Sequence, residues 1–96
     1  MIERTFKFDG SEFFFQGHFP EAPVLPGVIQ LSIARELAEE LVGAPLKLKA
    51  VKKMKFAHII CPGDEVKVAV SRKGENSFVY ELTKGGLTCS SGVLVC

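Results

Sequence analysis

The sequence predicts an α+β domain in which one helix lies across an antiparallel sheet. Two patterns point there. From Pro26 to about Val42 the apolar residues recur with helical period, and after Ala44-Pro45 the chain alternates with period two between tight-turn signals. The length agrees: 96 residues, 47% of them hydrophobic, support one modest core and a single domain over 1–96.

Ile2 to Phe8 places Ile2, Arg4, Phe6 and Phe8 on one parity and reads as a strand with an imperfect apolar face. Asp9-Gly10-Ser11 is a turn signal. In the helical stretch, Leu31, Ala34, Leu37, Ala38, Leu41 and Val42 share one arc, with Ser32, Arg35, Glu36, Glu39 and Glu40 opposite. Pro26 suits the first turn, and Gly43 suits the left-handed residue that ends a helix. Next, Leu46, Leu48, Ala50, Met54, Phe56 and Ile60 share even parity against Lys47, Lys49, Lys53 and Lys55 on odd parity. This predicts a long strand bent near Val51-Lys52, with an apolar face and a lysine face. His58 falls on the apolar parity and is expected half-buried or at the sheet edge. Pro62-Gly63-Asp64 turns the chain into a strand built on Val66, Val68 and Val70. Lys73 to Asn76 turns into Phe78–Leu82, and Lys84-Gly85-Gly86 makes a hairpin into the last strand, Leu87 to Val95.

Composition narrows the function classes. A formal net charge of +1 does not call for a nucleic-acid partner, which usually needs a strongly basic surface. No apolar run approaches the ~18 residues of a membrane span, and the opening MIERTFKF has no apolar secretory core. Cys61, Cys89 and Cys96 are an odd number without metal-ligand spacing, so free thiols in a reducing cytoplasm are expected and no metal is implied. The odd-parity lysines either dock an acidic partner or solvate the strand.

The stretch Phe14 to Glu36, FFQGHFPEAPVLPGVIQLSIARE, carries the chemistry. Pro20, Pro23 and Pro26 fall in steps of three and stiffen a loop that holds His18 and leads into the helix. Leu25 and Pro26 offer no side-chain cap, so the first amides, of Gly27, Val28 and Ile29, need water or a ligand carbonyl as partner. Glycine at 27 lets a ligand approach the backbone closely. Phe13, Phe14, Phe15 and Phe19 crowd this region as core or as pocket wall.

The string FFQGHFPxxPVLPGV, with the later Lys55-Phe56, Ile60 and Pro62-Gly63-Asp64, closely resembles the β-hydroxyacyl-(acyl carrier protein) dehydratases of fatty acid synthesis. The resemblance covers about Phe6 to Val95. It implies a hot-dog fold, an antiparallel sheet wrapped around one long central helix, paired into a homodimer or dimer-based oligomer with sites at the interface. It also implies an acyl-thioester substrate on acyl carrier protein or coenzyme A and no cofactor. His18 then corresponds to the base that takes the α-proton. Gly27 corresponds to the backbone donor to the thioester carbonyl, with Val28, Ser32, Phe19 and Phe15 against the substrate.

One departure bears on mechanism. The family places a Glu or Asp fourteen residues after its histidine, and here that position is Ser32. A serine hydroxyl is far too weak an acid for neutral pH, and a missing general acid costs about 10²–10⁴ in rate. Glu36 lies one turn further on, and either it reaches back over Ser32, since helical side chains lean toward the N-terminus, or it belongs to the solvated acidic face with Glu39 and Glu40. It is the substitute candidate. The expected function is a dehydratase-like acyl-thioester hydro-lyase. The alternatives are a non-catalytic acyl-binding or scaffolding subunit, and an acyl thioesterase on the same fold.

Overall fold

The computed structural model describes residues 1–8 and 25–96. The elements are β1 (Ile2–Lys7), α1 (Gly27–Val42), β2 (Ala50–Phe56), β3 (Glu65–Arg72), β4 (Ser77–Lys84) and β5 (Leu87–Val95). Among the described residues the strands form one antiparallel five-stranded sheet in the order β1-β3-β4-β5-β2. The predicted helix is present once among the described residues, and β3, β4 and β5 follow one another as a meander. β2, the strand expected to precede them in it, instead pairs with β5 at one edge, and β1 pairs with β3 at the other.

The helix buries one stripe of its surface. Ala34, Leu37 and Ala38 face Val66, Val68 and Val70 of β3, Phe78, Tyr80 and Leu82 of β4, and Leu94 of β5. The rest of the predicted arc, Leu31, Leu41 and Val42, packs partly buried around this centre. Each large apolar side chain so enclosed contributes about 1.5–3 kcal/mol, which is what holds an otherwise short helix. Gly43 ends α1 with φ 74° and donates its N–H to the Glu39 carbonyl. The Glu39 carboxylate in turn accepts the Leu46 N–H at 2.8 Å, turning the chain away from the helix. Gly85 and Gly86, at φ 56° and 79°, make the predicted hairpin between β4 and β5.

Gly92 is required by its neighbour. It pairs with Tyr80 across β4 and β5, and a Cβ built on it meets Tyr80 Oη at 2.7 Å and ring carbons at 2.8–2.9 Å. Tyr80 is fully buried, so its ring has nowhere to retreat. Gly92→Ala is expected to lower stability by about 1–3 kcal/mol. A urea midpoint equal to that of the parent protein contradicts this.

The strand after the helix departs from expectation. β2 starts only at Ala50, although Lys49 still donates its N–H to the Val95 carbonyl at 2.8 Å. The even-parity apolar face is not continuous. Leu46, Leu48 and then Val51 pack toward the core, while Met54 and Phe56 are about half exposed. A bulge between Lys52 and Lys55, with Lys53 at φ 54°, changes the phase of the strand. Alternation read in single steps cannot anticipate an inserted residue, and the predicted bend lies one to two positions before it.

Candidate active site

The first turn of α1 has no side-chain cap and no acidic residue. Pro26 is the N-cap residue at φ −62°, ψ 145°, an extended geometry its ring favours. Its carbonyl accepts the N–H groups of Ile29 at 3.1 Å and Gln30 at 3.2 Å. That corrects one expectation: Ile29 is satisfied by a tight local turn, which leaves the amides of Gly27 and Val28 without a partner among the described residues. These two donors stand at the positive end of the helix dipole, where a carbonyl gathering negative charge is stabilised.

The Gly27 end of the helix opens into a cleft of about 230 Å³, lined by Leu25, Gly27, Gln30 and the segment Phe56 to Ile59. A Cβ on Gly27 meets the Phe56 ring at 2.9 Å, so glycine allows that ring to lie against the helix terminus. His58 is exposed and lines the same cleft, where the sequence predicted a strand residue half-buried or at the sheet edge. The reason is local. β2 ends at Phe56, and the N–H groups of Ala57 and His58 both turn to the Cys89 carbonyl, at 2.8 and 3.1 Å.

The opposite wall is tied to the neighbouring residue of β5. Gln30 is 5% exposed, with its Nε2 donating to the Leu25 carbonyl at 3.0 Å. Its Oε1 accepts from the Ser90 hydroxyl at 2.6 Å. Leu25 also donates its N–H to the Ile60 carbonyl at 2.7 Å. Cys89 and Ser90 therefore anchor the two walls from one point on β5. Sequence reasoning missed Gln30, yet a signal was present: it lies seven and eleven residues before Leu37 and Leu41, on the apolar arc itself.

The loop below the cleft is held by charge. Asp64 accepts the Cys61 N–H at 2.8 Å and the Lys84 ammonium at 2.9 Å, and Lys84 also donates to the Ile59 carbonyl at 2.9 Å. Pro62-Gly63 forms the predicted turn, with Gly63 at φ 92° and the Asp64 N–H on the Cys61 carbonyl. The Cys61 N–H first, and the Lys84 bond second, hold the Asp64 carboxyl below its ordinary value. A lowered folded-state pKa stabilises the protein above the unfolded value and loses that effect as pH falls through the folded one. Unfolding midpoints in urea are thus expected to fall on acidification below about pH 4, and to fall less in Asp64→Asn. Parallel acid limbs in the two proteins contradict the assignment.

His18, Phe15 and Phe19 lie outside the described residues. Val28 is 68% exposed beside Gly27. Ser32 is half-buried and Glu36 exposed on α1, and neither lines the cleft. All three cysteines are free; Cys89 is buried, and burial pushes its thiol pKa up, away from reactivity. Among the described residues no cluster of His, Cys, Asp or Glu is arranged to hold a metal, and no helix is long and apolar enough to cross a membrane.

The family model described as ApeI-like, ApeI dehydratase, matches residues 1–93. The 3-hydroxyacyl-(acyl-carrier-protein) dehydratase FabZ of Clostridium novyi is 37% identical over 67 residues, covering 62% of this chain and 47% of that protein. FabZ of Shewanella woodyi is 33% identical over 98 residues, covering 88% of this chain and 64% of that one. The chain thus spans about half the length of the clostridial relatives it matches. Among solved structures, the dehydratase heterocomplex ApeI:P from Xenorhabdus doucetiae superposes with a TM-score of 0.82 at 24% identity, covering 97% of this chain and 83% of that one. An uncharacterized protein from Erwinia carotovora subsp. atroseptica gives a TM-score of 0.79 at 30% identity, covering 97% and 79%. The sheet and helix are those of the hot-dog fold.

Proposed function

This chain belongs to the ApeI-like dehydratase family, and on that premise we propose that it interconverts β-hydroxyacyl and enoyl thioesters by loss and addition of water. The observation that carries the proposal is the uncapped start of α1, where the Gly27 amide has no partner among the described residues and Gly27 itself lines a cleft.

The chemistry follows from that donor. The thioester carbonyl accepts the Gly27 N–H, and negative charge moves onto its oxygen as His18 takes the α-proton. The β-hydroxyl then leaves with a proton as water, and the electron pair of the broken C–H bond becomes the new C=C bond. The proton comes from Glu36 or from a second chain, because Ser32 is too weak an acid to supply it. General-acid carboxylates work desolvated, and Glu36 is exposed in the single chain. A covering partner therefore belongs to the proposal. A homodimer is supported by β2, an edge strand of the described sheet that leaves Met54, Phe56 and the following Ile59 48–64% exposed. The acyl group arrives on acyl carrier protein or coenzyme A, in the cytoplasm, a setting that suits three free cysteines.

Ser32 favours one second reading, a subunit that binds the acyl thioester and leaves the acid to a different chain. The two separate when the purified protein is given an enoyl thioester, with water addition and free thiol both followed. The dehydratase adds water and releases no thiol. The binding subunit does neither until a second chain or Ser32→Glu supplies the acid, and thiol release without hydration marks a thioesterase.

A further inference from the structure

We infer that Gln30 is a positioning residue that aims the Gly27 amide, acting with Ser90 through the backbone of Leu25; the inference rests on the reading of Gly27 as the thioester carbonyl donor. Gln30 is almost fully buried at the fourth position of α1, on the arc otherwise occupied by Leu37 and Leu41. A glutamine there carries a desolvation cost that leucine would not, so its hydrogen bonds have to offset it.

Both ends of its amide are used, and in one orientation. The Leu25 carbonyl can only accept, so the NH₂ group faces it at 3.0 Å, and the amide oxygen is left for the Ser90 hydroxyl at 2.6 Å. Ser90 is 1% exposed in the middle of β5, a strand flanked by β4 and β2. Gln30 thereby connects a buried position on a strand paired along both edges to the residue just before the N-cap.

Leu25 is then held at both of its backbone groups, its N–H by the Ile60 carbonyl and its C=O by Gln30. With that carbonyl fixed, the plane of the Leu25–Pro26 peptide is fixed. The proline ring permits little variation of the next dihedral, φ −62°, and the Pro26 carbonyl is pinned by Ile29 and Gln30. The remaining peptide unit, Pro26–Gly27, has its N–H direction set by these constraints. An oxyanion donor is effective when held within a fraction of an ångström of its line before the charge develops. Gly27 supplies the proton of the hydrogen bond, and Gln30 supplies its aim.

The test uses Gln30→Met, which keeps the side chain's length and removes both hydrogen bonds, and Ser90→Ala, which releases the glutamine amide. Enoyl thioester hydration is expected to lose about 10–100-fold in kcat with KM changed less than about threefold, the pattern of a lost transition-state interaction. Ser90→Ala is expected to lose less than Gln30→Met. The second readout needs no turnover: the Gly27 amide resonance shifts, and Leu25 amide exchange accelerates about tenfold while β3 and β4 amides keep their protection. Lower thermal stability with kcat and the Gly27 resonance unchanged overturns the inference and leaves Gln30 as a packing residue. If neither the unsubstituted protein nor Ser32→Glu shows hydration, the reading of Gly27 as carbonyl donor fails, and the Gly27 and Leu25 amides alone decide whether Gln30 aims them.

Discussion

Gly27→Pro is expected to fold as the parent does and to lose about 10²–10³ in kcat for enoyl thioester hydration, the magnitude usual for deleting one oxyanion donor. The substitution is chosen because the first helical position tolerates proline: the N–H it removes makes no helical bond. The residue before it, Pro26, already has the extended ψ of 145° that a following proline demands. The Phe56 ring lies 2.9 Å from the new Cβ, but it is 53% exposed and free to swing outward. Gly27→Ala is the control, since it imposes the same displacement of Phe56 and keeps the N–H. A large rate loss in Gly27→Pro together with a small one in Gly27→Ala assigns the effect to the hydrogen bond. Equal losses assign it to the ring.

Ser32→Glu is expected to raise the hydration rate by at least about tenfold, within the range of about 10²–10⁴ that a positioned general acid contributes. Ser32 is half-buried on α1, five residues past Gly27 and so about 7.5 Å along the helix axis. Glu36 lies a further turn away and is exposed. If Glu36 is the working acid, Glu36→Gln slows the protein by about 10² and Ser32→Glu restores the rate in that background. If a different chain brings the acid, Glu36→Gln has no effect, and Ser32→Glu creates activity where the purified single chain has little. A rate unmoved by both substitutions shows that neither position on this helix reaches the leaving hydroxyl.

Much of the fold was legible because its periods are clean. The Leu31 to Val42 arc gave the helix, and the Gly43 and Gly85-Gly86 stops fall where left-handed backbone is found. The alternating valines of β3 face the core as they should. Where the sequence misled, a local backbone event intervened. The bulge at Lys53 breaks the alternation between Val51 and Phe56, and nothing in a run of lysines and apolar residues marks an inserted residue. His58 was assigned by extending that alternation past the end of β2, so it was expected half-buried or at the sheet edge on the parity of Phe56 and Ile60, and it is exposed where it lines the cleft.

The unpartnered first amides of α1 were legible in the sequence, but the residues packed around them were not. Uncapped amides before a glycine-led helix follow from residue types alone, which is why Gly27 and Val28 could be singled out. Gln30 needs the partner sixty residues away, and no local rule connects it to Ser90. The same holds for the Asp64 and Lys84 pair, twenty residues apart, which steadies the turn after the cleft. The acid is a different case. Its absence from position 32 is plain in the sequence, and the exposed edge of β2 supplies a physical reason to look for it across an interface.

The measurement closest to the central claim is hydration of an enoyl thioester by the purified protein and by His18→Ala, with both species assayed for folding by circular dichroism. The account predicts water addition by the parent and a loss of about 10²–10⁴ in His18→Ala with the fold intact. Equal hydration rates in the two proteins, or free thiol as the product of the parent, would contradict it.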